Sequence, residues 1–333
     1  MTRLIQIRNG TTRRVAVVEE PNVRLLDGYE SVYALAQAAM TGTLSLSELV
    51  RKHATGGVLS YDPIYAGNSE WRLLVPLDHP DEPARCLVSG TGLTHFGSAK
   101  NRQAMHQNRP EEETDSMRIF RWGLEQGRPA PGQVGISPEW FFKGVGTILR
   151  AHGEPLDIPA FAEDGGEEAE IAGLYVVGPD GQPHRIGMAI GNEFADHKFE
   201  KRNYLNLAGS KIRNCSIGPE LVVAPDFQSV PGTAKIERNG SIIWSKAIAT
   251  GENEMTHSLA NLEHHHFKFD SHRRTGDVHV HYFGAHSLSF GDGVQLGDGD
   301  VAEISFSGFG RSLRNPIRVD RKSVSLIPVQ AAF

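Results

Sequence analysis

Three carboxylates stand out for what their spacing could do. In the segment 167–177 (EEAEIAGLYVV), Glu168 and Glu170 sit two residues apart within an apolar, β-branched run. Read as a strand, the period of two places Glu168, Glu170, Ala172 and Leu174 on one face, with Ile171, Gly173 and Tyr175 on the other. Two carboxylates side by side at the buried end of a strand repel each other, and burial requires a counter-cation. A second apolar run, 187–203 (GMAIGNEFADHKFEKRN), delivers Asn192 and a third carboxylate, Glu193, just before Asp196, His197 and Lys198. Ligation by oxygen alone suits a hard divalent cation such as Mg²⁺, Mn²⁺ or Ca²⁺ rather than zinc.

The elements that must position these residues follow from patterning. Residues 1–82 read as a small N-terminal α/β domain, opening with a strand-like run from Leu4 to Val18. Two helices are expected next. In 29–40, Val32, Leu35, Ala36 and Ala39 recur at helical spacing, and in 46–53 Ser45 and Glu48 make a capping box. After the turn-rich Pro80–Pro83, residues 83–333 form the larger unit and are strand-dominated. Its short runs are separated by the turn signals PDGQ (179–182), RNG (238–240) and GDGD (297–300). The triple histidine 264–266 reads as a solvated loop in a charge-rich stretch.

Bulk properties narrow the partner. A net charge of −6 over 333 residues argues against nucleic-acid binding, which needs a basic stripe, so a small molecule is expected. Two cysteines, Cys86 and Cys215, cannot staple the fold and form no CxxC pair. No apolar signal core and no run of about 18 uncharged apolar residues is present, so no membrane association is expected and the cytoplasm is the default.

Taken together these segments resemble the fumarylacetoacetate hydrolase superfamily, whose hallmark is an ExE strand followed some twenty residues on by a Gly-Asn-Asp strand end. PEWFFKG (138–144), HGEPLDIP (152–159), LAGSKIRNCSIGPELV (207–222) and VQLGDGDVAEISFSGFGRSLRN (294–315) resemble its other motifs in the right order, over about residues 85–320. The resemblance implies an α+β, mostly β fold: a mixed β-roll or sandwich core around the metal, usually in a homodimer. It also implies Glu168, Glu170 and Glu193 as ligands of Mg²⁺, with Mn²⁺ as the alternative, and Lys211 as the site lysine. Two departures stand out. The third ligand is normally Asp, and the interval from Lys211 to Gly218–Pro219 is shorter than usual.

A further departure bears on the reaction. Hydrolytic members activate water with a His-Glu dyad on a mobile segment. Here the matching stretch, 90–106, places Ser98 and Asn101 at those positions, and neither is a competent base near neutral pH. The usual Gly-Thr-Pro turn is Gly284-Ala285-His286. The sequence is similar instead to a branch that dehydrates sugar acids such as arabinonate. On that reading a pentonate chelates the cation through its carboxylate and 2-hydroxyl. Lys211 removes the C2 proton, and His95 or His286 protonates the departing C3 hydroxyl. Lys143, Ser98, Arg102 and Asn192 are candidate substrate contacts, and His197 is placed to orient a ligand. Cleavage of a carbon–carbon bond in an acylpyruvate or 2,4-diketo-3-deoxy acid, using His106 with Glu111, is the competing reading.

Overall fold

Nine consecutive buried residues, Ala169–Val177, define the axis of the molecule, because a strand with no exposed face must be covered on both sides. A computed structural model describes residues 1–97, 99 and 114–332. In it the strand Ala169–Val177 forms an antiparallel hairpin with Pro183–Asn192. The PDGQ turn closes this hairpin: Gly181 takes a left-handed conformation (φ +74°), and the Gln182 amide donates to Asp180 Oδ1 at 3.0 Å.

The hairpin is the middle of a thirteen-stranded mixed sheet. On one side Val278–Tyr282 pairs antiparallel with Ala172–Val176 and parallel with Cys86–Gly90. On the other, Leu221–Val223 bridges to the first strand, Thr2–Asn9, through Thr2↔Val223 and Leu4↔Leu221. The opening run is thus a hairpin, Thr2–Asn9 with Thr12–Glu19, whose ladder continues into the sheet that carries the carboxylates. The two expected helices form as Val32–Thr41 and Leu46–His53, the second with its capping box complete on Ser45 and Glu48.

Each face of the large sheet has its own core. Ala172, Leu174 and Val176 pack with Val32, Leu35 and Leu49 of the two helices. Ile171, Tyr175, Met188 and Ile190 pack the opposite face against Ala234, Ile248, Ile304 and Phe306 of a five-stranded second sheet. The result is mostly β, as expected, with sheet on sheet to one side and helices to the other. Within the second sheet, Asn239 (φ +52°) and Gly240 (φ +76°) supply the two left-handed residues of a tight hairpin turn between Val230–Arg238 and Ser241–Thr250.

One expectation is corrected. The triple histidine is not a solvated loop: it ends the helix Leu259–Phe267, with His264 exposed but His265 and His266 buried. The helical period turns two of the three rings inward beside Leu262, whereas reading composition alone missed the phase. Both cysteines are free and buried. Among the described residues, no helix is long and apolar enough to cross a membrane.

Because the hairpin fixes the site, its packing should dominate stability. Ile190→Ala, at a fully buried position, is expected to destabilise the protein by about 2–5 kcal/mol. Denaturant unfolding would show this as a lower midpoint with an unchanged slope.

Candidate metal centre

The hairpin register brings the acids together. Ala169 pairs with Asn192, so Glu168 and Glu193 face each other one residue beyond the ladder, closed by the Glu193 amide donating to the Glu168 carbonyl at 3.0 Å. Glu168 lies just ahead of the strand rather than within it. Glu168, Glu170 and Glu193 are all buried, and one carboxylate oxygen from each lies within 4.8 Å of the others. These three are the residues expected from sequence.

Two lysines hold the cluster. Lys211, at the end of the short helix Leu207–Lys211, donates to Glu168 Oε1 and, at 2.5 Å, to Glu193 Oε2. Its ammonium lies 4.7 Å from the centre of the Phe141 ring. Lys143, in the strand Glu139–Val145, donates to Glu193 Oε1 and to the carbonyls of Phe194 (2.9 Å) and Lys211 (2.8 Å). An ammonium has three donors, and those of the fully buried Lys143 are taken. Expected at the substrate, Lys143 instead locks Glu193 and the Lys211 backbone in place. The two carboxylate oxygens of Glu193 thus span both ammonium groups.

Around this centre the other sequence candidates separate. His197 Nε2 lies 3.0 Å from Glu168 Oε1, and its Nδ1 is buried with no partner among the described residues. Asn192 accepts from the Glu168 amide at 3.2 Å, which leaves its buried amide nitrogen unpartnered among the described residues. His95 is buried between Thr94 Oγ1 (2.9 Å) and Thr250 Oγ1 (3.0 Å), 6.4 Å from the His286 ring centre to centre. Burial, with some help from His286, pushes its pKa down to about 3, so it is neutral at ordinary pH. His286 is half-buried, bonded to Ser287, and also lowered by burial. Ser98, Arg102, Asn101, His106 and Glu111 lie outside the described residues.

Two features were not read from sequence. The Gly284 amide donates to Glu170 Oε2 at 2.7 Å, and Gly284 has φ +103°, with Thr94 Oγ1 only 2.0 Å from where a Cβ would stand. Glycine is therefore required in this turn, and its backbone holds the Glu170 carboxylate. Glu167 accepts from the Ser289 amide (2.7 Å) and hydroxyl (2.6 Å), pinning the start of the ExE segment. Both contacts span more than a hundred residues, beyond any local pattern.

Electrostatics give the cluster its chemistry. Burial raises Glu170 well above the usual carboxylate range, and repulsion from Glu193 and Glu168 adds to it. Glu193 is raised to about 7 by burial and by Glu168, against the pull of Lys143 and Lys211. Burial would raise Glu168 too, but Lys211 and His197 outweigh it and hold it far down. Burial alone would depress Lys211, yet Glu168, Glu193 and Glu200 together lift it above its ordinary value. Among these side chains alone the surrounding charge exceeds the cost of desolvation; the lowering expected of Lys211 beside a metal belongs to the cation-bound site. Three buried carboxylates carrying more negative charge than they can comfortably hold fit a hard divalent cation well.

No family model matches the sequence, and no curated protein matches it. Solved structures do. The chain is similar to 2-keto-3-deoxy-D-arabinonate dehydratase, both its apo form and its complex with magnesium and 2,5-dioxopentanoate. Each has a TM-score of 0.71 and 19% identity and covers 96% of this chain and 100% of that one. It is also similar to 5-carboxymethyl-2-hydroxymuconate delta-isomerase from Mycobacterium smegmatis (TM-score 0.56, 16% identity, 96% and 100% covered). A third, 2-hydroxyhepta-2,4-diene-1,7-dioate isomerase from Mycobacterium marinum, gives 0.58 and 16%, with 97% and 100% covered. The chain therefore shares the fold of fumarylacetoacetate hydrolase-type proteins, as its motifs implied.

Two outcomes follow from this geometry. At Gly166 a Cβ would stand 2.3 Å from His197 Nδ1, so Gly166→Ala should push the ring off Glu168 and weaken Mg²⁺ binding by about 10–100-fold, measured by calorimetry. The raised Glu193 pKa makes its protonated form the stable one in the metal-free fold. That contribution is full below the ordinary value of 4.5 and lost as pH rises through about 7. Saturating Mg²⁺ should therefore raise the melting temperature more at pH 8 than at pH 5.5; an equal shift at both would contradict the assignment.

Proposed function

We propose that this chain is a Mg²⁺-dependent hydro-lyase that removes water from a sugar-derived acid, a pentonate or its 2-keto-3-deoxy derivative. The reading is carried by one observation: Glu168, Glu170 and Glu193 converge with the Lys211 ammonium set directly between Glu168 and Glu193. Glu168, Glu170 and Glu193 would hold the cation. When bound it supplies Lewis acidity to the acid's carboxylate and 2-oxygen and takes over charge that Lys211 now balances.

The chain's own residues supply the rest. Lys211 Nζ is the group that exchanges a proton with the carbon beside the chelating 2-oxygen. In an aldonate this is C2, and in a 2-keto-3-deoxy acid it is C3. The hydroxyl on the next carbon then leaves as water, taking the proton that Lys211 has gained. Lys143 keeps Glu193 and the Lys211 backbone fixed during that transfer. The unpartnered amide nitrogen of Asn192 and Nδ1 of His197 are the polar groups available to substrate hydroxyls. His95, neutral and bonded on both nitrogens, fits a relay through Thr94 better than a direct acid.

Dehydration is favoured over carbon–carbon hydrolysis because the sequence carries Ser98 and Asn101 where the hydrolytic dyad belongs. The dehydratase among the similar structures also has a higher TM-score than the isomerases, 0.71 against 0.56 and 0.58. That dehydratase is also known in complex with magnesium and 2,5-dioxopentanoate, which supports the 2-keto-3-deoxy acid as the form to try first.

The test is to incubate the purified protein and Mg²⁺ with C5 and C6 aldonates and with their 2-keto-3-deoxy acids. New 2-keto acid would be followed in the first set and new aldehyde in the second. Activity should fall by more than about 100-fold in Glu170→Gln. Cleavage of an acylpyruvate, with no water lost from any sugar acid, would install the hydrolase reading instead.

A further inference from the structure

Away from the carboxylates, the sandwich buries a second group of ligand-type side chains. His266 and His265 end the helix Leu259–Phe267, His272 sits on the short turn Asp270–His272, and His279 and His281 lie on Val278–Tyr282. One ring nitrogen from each of His266, His272 and His279 lies within 4.8 Å of the others. His266, His279 and His281 are at most 1% exposed, and His272 is 9% exposed. No residue of this group contributes to the carboxylate centre.

Counting protons shows that these rings do not satisfy one another. Trp140 Nε1 can only donate, and it lies 3.3 Å from His266 Nδ1, which marks that nitrogen as an acceptor. His266 Nε2 then carries the proton and donates to His279 Nδ1 at 2.9 Å. The remaining proton of His279 must sit on Nε2, which is buried and meets no acceptor in good hydrogen-bond geometry among the described residues, the His272 backbone offering at most a weak contact. His272 uses Nδ1 to donate to the His266 carbonyl at 2.7 Å, so its Nε2 presents a free lone pair. Among the described residues, no hydrogen bond joins these two nitrogens. A backbone carbonyl on the far nitrogen is also the usual way of aiming a metal-binding imidazole.

We propose that His266, His272 and His279 form a second metal site, for an imidazole-preferring divalent cation of the Zn²⁺ type. Two nitrogens on one tetrahedral Zn²⁺ are about 3.4 Å apart, given bonds of about 2.0–2.1 Å. The cluster therefore needs to close only slightly, and His272 on its short turn is the ring free to move. With its Nε2 lone pair turned to the ion, His266 carries its proton on Nδ1 and donates it to Ser89 Oγ, 3.3 Å away, so ion binding requires the Trp140 N–H to turn off that nitrogen. His281 is excluded, because it stacks on His266 (4.4 Å, 26°) and bonds Ser89 Oγ at 2.8 Å. Two of the rings are held in the ligating, neutral form: burial first, then the neighbouring rings, drives His279 to about 3 and His266 well down. Nitrogen ligands here and oxygen ligands at the glutamates would sort two different metals by softness.

The test uses chelator-stripped, tag-free protein with excess Mg²⁺ to fill the carboxylate centre. We expect about one Zn²⁺ per chain to survive gel filtration, and bound Co²⁺ to show the visible absorption of four-coordinate nitrogen ligation. His272→Asn, at the rim, should weaken Zn²⁺ binding at least about tenfold while leaving the circular dichroism of the stripped protein unchanged. His279→Asn should do the same, and if it fails to fold, His272→Asn decides alone. The site is refuted if the wild type retains no Zn²⁺, if both variants retain it fully, or if Glu168→Gln rather than His272→Asn abolishes it.

Discussion

Mutual repulsion among Glu168, Glu170 and Glu193 is the constraint on which the rest of this structure depends. Three carboxylates buried within 4.8 Å of one another would drive the hairpin ends apart unless positive charge stood among them. Lys211 and Lys143 provide it from two different elements, and the backbone carbonyls of Phe194 and Lys211 fix Lys143 in turn. The centre is therefore strained electrostatically but rigid geometrically, which is the condition for holding a small, exacting cation.

That rigidity comes from the sheet. With all nine residues of Ala169–Val177 buried, a slip of one residue against Pro183–Asn192 would swap every side chain between two unlike cores. Register is thus set by packing along the whole strand, and the acids at its end inherit it. The Gly284 amide and the Ser289 contacts to Glu167 attach the opposite loop to the same end, so the cluster is held from three directions.

Much of this was legible in sequence because it is local. The ExE spacing, the Gly-Asn-Glu strand end and the Ser45–Glu48 cap each declare themselves within a few residues. Lys143 was visible as a conspicuous lysine but not as a brace for Glu193, because its partners lie 50 to 68 positions away. The direction of the Lys211 shift was likewise out of reach, since it depends on how many carboxylates surround the amine. The histidines show the same limit more sharply. A run of three looked like a solvated loop, and only the helix phase and the strand Val278–Tyr282, brought in from elsewhere, make it a buried cluster.

The strand Leu221–Val223 lies between the first strand of the chain and the hairpin strand that ends in Asn192. The opening eighty residues are accordingly not a cassette that could be traded between relatives to retune specificity. Exchanging them would mean re-knitting a ladder of main-chain hydrogen bonds two strands from the acids, and the bare edge left by their removal would be a template for self-association. Diversification of this scaffold is therefore easier through its loops than through its front end.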